Sequence, residues 1–253
     1  MSLEYILPPN QWYSTGITQY PNHQYLRNFF ELINEEEQTD LMCGNFHAFI
    51  CSVFYRSEEQ QQFSGKLVHE FILRLVNCGK NNEIWVKLND QLARFSMLEF
   101  YLVTGLPCHD IPLECEFTNN RLRNQYFNGI NRIKMTMLSE AFRLCQNEDD
   151  KFKLGLVMFV ECVLKPTGRC IDQKTLSMVE NIHTFLAYPW GRQAYVGLLR
   201  SLQASHVERV QRMYQNEQLE SKYSLHGYPL AFQVLFFIYV IFATLCIILF
   251  SYL

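Results

Sequence analysis

Charge is missing from the end of this chain: after Lys222, the last 31 residues contain no Lys, Arg, Asp or Glu. Elsewhere there is no strong excess of either sign, since 22 basic and 25 acidic residues leave a formal net charge of −3. A histone-like or otherwise strongly basic nucleic-acid binder is thereby excluded. Phosphate-binding loops are missing too. Gly65-Lys66 and Gly79-Lys80 have no upstream glycine at the spacing of G-x-x-x-x-G-K, and neither G-x-G-x-x-G nor G-x-S-x-G occurs. No internal repeat of 20–50 residues is visible. Residues 1–9 carry no basic n-region, and Pro8-Pro9 interrupt the apolar run, so no secretory leader is expected. The nine cysteines are an odd number in a chain far longer than a disulfide-stapled domain, which predicts reduced thiols in cytosol or nucleus.

What is present is apolar and aromatic. Hydrophobic residues make up 49% of the 253, with 14 Tyr and 20 Phe, which excludes a disordered or low-complexity chain. Helical spacing recurs at Tyr25, Leu26, Phe29, Phe30 and Ile33, at Phe46, Phe49, Ile50, Val53 and Phe54, and at Leu67, Phe71, Ile72 and Leu75. Between the first two of these segments, Glu35-Glu36-Glu37 reads as a solvated helix end or loop, and Gly79 reads as the stop of the third. The period then changes to two: Ile84, Val86 and Leu88, a turn at Asn89-Asp90-Gln91, and the return at residues 92–95 predict a β-hairpin. Ser96-Met97-Leu98-Glu99 follows as a capping box, opening a helix that carries Leu98, Tyr101 and Leu102 and ends at Gly105. Further helices are expected from about Ile133, over 152–164, from Asp172 through Phe185, and from Trp190 towards Glu220. The expected fold is α+β and mostly α-helical: an irregular arm (1–21), a single compact helical domain with one small hairpin (22–233), and a C-terminal transmembrane-type helix (234–253).

Candidate chemistry is sparse. Cys43, His47 and Cys51 stand at i, i+4 and i+8, a spacing that would place N and S ligands on one helix face, but zinc sites usually need a fourth ligand and none stands nearby. Core packing beside Phe46 and Ile50 is the competing expectation. The Cys108-His109 and Cys115 loop is the other Cys/His cluster. A cysteine hydrolase would need a thiolate, an activating histidine and an orienting group; Cys78 with His183 or His226 can be nominated only by counting, and Cys78 also reads as a helix end. Asp149-Asp150 precedes a helix, where acids favour the macrodipole. Arg121, Arg123, Arg132 and Lys134, with Tyr126 and Phe127 among them, form the one basic stretch open to a nucleic acid. A solvated loop is the favoured explanation of them. No catalytic residue, metal or cofactor is expected.

Five blocks carry a resemblance. They are Phe63-Ser64-Gly65-Lys66-Leu67-Val68-His69; Arg94-Phe95-Ser96 with Glu99-Phe100 and Thr104-Gly105-Leu106; Phe159-Val160-Glu161 with Val163-Leu164; Tyr188-Pro189-Trp190-Gly191-Arg192; and Tyr223-Ser224-Leu225-His226-Gly227-Tyr228-Pro229-Leu230-Ala231. Over residues 40–234 the chain resembles a plant-specific domain of unknown function. That domain occurs in transposon-derived proteins, often upstream of a SUMO-protease-like (Ulp-like) cysteine peptidase domain. The hairpin–helix–Gly-Leu-Pro unit is also similar to the plant mobile domain. The resemblance singles out Ser96, Glu99, Gly105, Tyr188, Pro189, Trp190, Gly191, Arg192, Gly227 and Pro229 as motif positions and implies no catalytic role for them. The peptidase itself is not expected, since its His-Trp and Asp-Cys-Gly segments do not occur. Read as residues alone, Tyr188 and Trp190 are apolar anchors, Pro189 is a stop, and Arg192 is a donor to helix-end carbonyls.

Residues 234–253 have only Thr244 and Ser251 as polar members. Twenty helical residues would span about 30 Å, the hydrocarbon core of a bilayer, and Lys222 and His226 flank the side expected to face the cytosol. One reading is a tail-anchored membrane protein with its domain in the cytosol. The other departs from the family after Phe232-Gln233-Val234 and takes the tail as translated intron, which leaves a truncated nuclear protein. The function expected is a non-enzymatic protein-interaction module with an unidentified protein partner and the membrane as a second partner. The alternatives are a nucleic-acid-associated nuclear domain and a cryptic cysteine hydrolase.

Overall fold

The computed structural model describes residues 4–19, 21, 23–54, 62–89, 91–111, 118–166, 170–214 and 222–251; described side chains end at 204 in the penultimate long helix and at 241 in the last. The fold is α+β and mostly helical with a small antiparallel sheet, and its contacts divide the chain into two compact units. Unit 1 comprises residues 1–19, 58–104 and 195–253; unit 2 comprises 20–57 and 105–194.

Unit 1 opens with strand β1 (Gly16–Gln19), inside the segment expected to be irregular. Helix α4 (Gly65–Leu73) is capped by Ser64, whose side chain accepts a bond from the Leu67 amide. It is followed directly by β2 (Leu75–Val76), so Gly79, at φ +69°, lies in the turn between strands and is not a helix stop. Strands β3 (Ile84–Leu88) and β4 (Gln91–Phe95) pair antiparallel as the alternation predicts, with Trp85 opposite Arg94 and Val86 opposite Ala93. Val86, Ala93 and Phe95 face the core. At the turn, Asn89 has φ +53°, and Asp90 lies outside the described residues. On the far edge, β2 adds to β3 and Tyr5 bridges to Val76. Helix α5 (Met97–Thr104) follows the hairpin.

Two helices complete this unit. Helix α11 (Trp190–Tyr214) belongs to it from Tyr195 onward, and α12 (Pro229–Ser251) is preceded by β5 (Lys222–Leu225), which pairs in parallel with β1 across some 200 residues of sequence. The core is aromatic: Phe71, Phe95, Phe100, Tyr195, Phe232 and Phe236 pack in edge-on and tilted pairs with centroids 4.6–6.4 Å apart.

That core corrects the expectation for the tail. The helix starts at Pro229, not Val234, and Leu230, Ala231, Phe232 and Phe236 are fully buried. Gln233 anchors it further by accepting from the Ser64 amide at 2.7 Å and donating to the Gln62 carbonyl at 3.0 Å. Among the described residues no helix is long and apolar enough to cross a membrane. The transmembrane helix expected over 234–253 is therefore not supported, and Phe236 within it belongs to a protein core.

Unit 2 contains α1 (His23–Leu32), α2 (Glu35–Cys43), α3 (His47–Phe54), α6 (Arg121–Phe127), α7 (Met135–Leu144), α8 (Glu148–Phe159), α9 (Gln173–Met178) and α10 (Ile182–Ala187). Glu35, Glu36 and Glu37 are not a loop: they form the first turn of α2, where Asn34 and Glu37 make a reciprocal capping box. The basic stretch begins with a helix, α6, that the sequence did not suggest. Helix α8 passes into a π-helical turn (Val160–Leu164), and the single helix expected from Asp172 is two, because Asn181 caps a new start. Phe29, Phe46, Phe49 and Phe159 are fully buried here.

Candidate functional site

The motif positions form ordinary but tightly specified local structure. Ser96 and Glu99 make the capping box of α5, with a difference in detail: the Ser96 hydroxyl accepts from the Leu98 amide at 3.2 Å, one residue earlier than expected. The Glu99 carboxylate accepts from the Ser96 amide at 2.8 Å and takes two bonds from the Arg94 guanidinium, at 2.7 and 3.1 Å. Burial pushes the Glu99 carboxyl up, but these donors outweigh it and hold it below the ordinary range.

In unit 2 the Tyr-Pro-Trp-Gly-Arg block pins the loop that begins at Gly105. That glycine has φ +68°, and a Cβ on it would come within 2.4 Å of the Ala48 methyl. Gly191 lets the Leu106 and Pro107 carbonyl oxygens approach to where its Cβ would be, 2.7 Å away. Arg192 donates to the Cys108 and His109 carbonyls at 3.2 and 2.7 Å and pairs with Asp110 at 2.6 Å, so its targets are loop carbonyls where helix-end ones were expected. Trp190 is buried, stacked between Phe185 and Tyr188, and its indole donates to the Phe185 carbonyl at 2.8 Å. Pro189 is buried beside it, immediately before α11. Gly227, at φ +72°, and Pro229 belong to unit 1 and make the turn that opens α12.

Of the four basic candidates, two are engaged within unit 2. Arg121 forks onto Asp150 at 2.5 and 3.0 Å and reaches Glu180 at 2.9 Å. Glu180 also receives Lys153 at 3.3 Å, and Tyr126 donates to Asp150 at 2.8 Å. Hydrogen bonding from Arg121 holds the Asp150 carboxyl below its ordinary range. Asp149 and Asp150 lie in the first turn of α8, which Asn147 caps, and Asp150 is also the hub of this network. Arg123 bonds Asn131 at 3.0 Å and Gln173 at 3.2 Å. Arg132 and Lys134 are exposed. The four therefore divide into two arginines with internal partners and two exposed cations.

A second buried cluster lies on the π-helical turn. Thr175 donates to Glu161 at 2.6 Å, and Lys165 reaches Glu161 at 3.2 Å and Asp172 at 2.9 Å. Burial holds the Glu161 carboxyl above the ordinary range despite the nearby ammonium.

The cysteines offer no activated thiol at the two positions where a shift is evident. Burial pushes Cys108 up to about 11 and Cys162 up to about 12, opposite to what a thiolate nucleophile requires. The Cys78 thiol points at the Lys80 and Glu83 carbonyls; His183 and His226 are exposed. Cys43 ends α2 and His47 begins α3, both exposed, so neither the shared helix face nor the core packing expected for them holds; Cys51 is half-buried. Cys115 lies outside the described residues. Among the described residues no group of three or more His, Cys, Asp or Glu could hold a metal ion.

The feature that sequence reasoning misplaced is an apolar surface on unit 1. Leu98, Tyr101 and Leu102 keep the predicted helical spacing, but they are 47–69% exposed, while Phe100 and Thr104 of the same helix are buried. Helix α12 packs against both α5 and β4. Its residues Phe237, Ile238, Tyr239, Val240 and Ile241 are 37–52% exposed, and Leu92 on β4 is exposed as well. The only charge on α5 is Glu99, which is turned onto Arg94 and 12% exposed. The result is a water-facing apolar set on the neighbouring helices α5 and α12, with Leu92 on the outer face of the hairpin between Lys87 and Arg94, the pattern that marks contact sites rather than scattered surface leucines.

Fold and motif geometry thus define a mostly helical α+β protein whose motif residues cap helices and fasten loops. The chain belongs to the family described as Domain of unknown function (DUF1985), whose model matches residues 72–201, about half of the sequence. No curated protein and no solved structure matches it.

Proposed function

We propose that this chain is a non-enzymatic interaction module that makes contact through the α5–α12 face of unit 1. The observation that carries this reading is the exposed stripe of Leu98, Tyr101 and Leu102 beside the exposed apolar turn at 237–241. The polar clusters support it from the other side: Arg121, Asp150, Glu180, Glu161 and Arg192 are engaged by internal partners. The five sequence blocks add the context of a transposon-derived plant protein whose relatives carry an Ulp-like peptidase domain. Nucleic-acid binding through residues 121–134 is the weaker reading, because Arg121 and Arg123 are already engaged.

The test is binding of an environment-sensitive apolar dye to the full chain and to a Leu98→Ser/Leu102→Ser variant. A severalfold loss of dye fluorescence with an unchanged melting temperature is expected. Unchanged dye binding, or a variant that melts as though its core were damaged, would mean that this face is not an available contact surface.

A further inference from the structure

The contact surface has a shape that selects among occupants. Successive helical residues are about 100° apart, so five consecutive positions go once around the helix. Phe237, Ile238, Tyr239, Val240 and Ile241 are all apolar and all more than a third exposed. A protein partner or a second copy of this chain covers one side of a helix and is framed by a polar rim. Here the exposed apolar residues go once around α12 at the 237–241 turn, and the charge beside the α5 stripe is a closed Arg94–Glu99 pair. A medium that surrounds a helix satisfies every position of that turn at once. Tyr101 and Tyr239 add phenol rings, which favour the level where an apolar phase meets water.

We propose that the α5–α12 face of unit 1 seats on a lipid surface, with the Phe237–Ile241 turn of α12 in the hydrocarbon and Leu98, Tyr101 and Leu102 at its boundary. This is attachment from one side, not a crossing, and it rests on the reading of the α5–α12 face as the contact surface. Attraction to anionic headgroups plays little part, because α5 and the 237–241 turn hold no cation and Arg94 beside them is paired with Glu99. Pure phosphatidylcholine should therefore suffice, and binding should be insensitive to salt.

The test uses the full chain with the photo-reactive residue benzoylphenylalanine in place of Leu102, of Tyr239, or of Arg132 as an exposed site in unit 2, irradiated with phosphatidylcholine vesicles. Expected are lipid adducts at 102 and 239, none at 132, and co-flotation that survives high salt. Leu98→Asp/Leu102→Asp should lower the vesicle-bound fraction about tenfold or more, as expected for withdrawing two leucines from an apolar phase. Adducts at 239 without 102 would overturn the role of α5, and equal labelling at 132 would overturn specific seating. Protein–protein adducts at 102 or 239 with concentration-dependent association, and no lipid adduct, would replace lipid by a second copy while leaving the contact surface standing. A monomer with no adducts at either position and no dye binding would overturn both.

Discussion

The two units treat their surfaces in opposite ways. In unit 2 a half-exposed arginine, Arg121, is gripped by two acids that are themselves buried, and the exposed large apolar residues Leu32, Ile111, Ile130 and Leu144 stand singly on different segments. Unit 1 pairs its charges too, at Arg74–Glu70, Lys80–Glu83 and Arg94–Glu99, but it gathers exposed apolar side chains on α5, β4 and α12. Scattered apolar residues are what any folded surface shows, whereas a contiguous set persists only where something covers it or the solvent is not water. Surface character, more than any motif, therefore carries the proposed contact surface.

The comparison is broken most forcefully from inside α5. Phe100 lies in the aromatic core with Phe95 and Tyr195, and Phe100→Ala should cost about 3–5 kcal/mol; chemical denaturation would show a lower midpoint at an unchanged slope. In unit 2 the corresponding large effect is electrostatic. Asp150→Ala strands Arg121 and Tyr126, but the Arg121 side chain is 42% exposed and water screens it, so about 1–3 kcal/mol is expected. The sign with pH follows from the depressed carboxyl. The contribution of Asp150 is complete above its unfolded value of about 3.9 and is lost as pH falls through the lower folded value. Wild type should therefore lose stability on acidification more steeply than the alanine variant.

Glu161 should behave in the reverse sense. Its carboxyl is raised by burial, so the native state holds its proton longer than the unfolded chain does. Its charge is then a cost that grows as pH rises from about 4.3 through the folded value and is relieved on acidification. Glu161→Gln keeps an acceptor for Thr175 and leaves Lys165 paired with Asp172. A stability change within about 1 kcal/mol at neutral pH is expected, and the variant should lose more melting temperature than the wild type on acidification through the weakly acidic range, because only the wild type is relieved of a buried charge there. A variant that loses less than the wild type would show that the carboxylate, not the carboxylic acid, is the form the native state favours.

The sequence discloses local structure here far better than it discloses sidedness or long-range pairing. The hairpin and the Ser96–Glu99 cap were legible because alternation and capping are written within a few residues. The β1–β5 pair was not, because parallel pairing of Gly16 with Lys222 leaves no local signal. Arg121 looked like a free cation because its partners, Asp150 and Glu180, lie 29 and 59 residues away. The tail looked like a membrane span because hydrophobicity alone does not separate core-facing Phe232 and Phe236 from exposed Phe237. For α5 the spacing of Leu98, Tyr101 and Leu102 was legible and its direction was not, since period alone does not say which of two apolar faces turns inward.

That ambiguity makes the smallest expected effect the sharpest measurement. Leu102 is two positions from Phe100 and is 69% exposed where Phe100 is fully buried. Truncating it opens no cavity and removes little packed surface, so Leu102→Ala should change stability by no more than about 0.5 kcal/mol. Alanine also has the higher helix propensity, which tilts the balance further towards zero or slight stabilisation. The same truncation removes one of the largest water-facing apolar groups of the contact surface, so dye binding should fall while the melting temperature stays fixed. A loss of about 2 kcal/mol or more would place Leu102 in a packed environment and turn the α5 stripe inward.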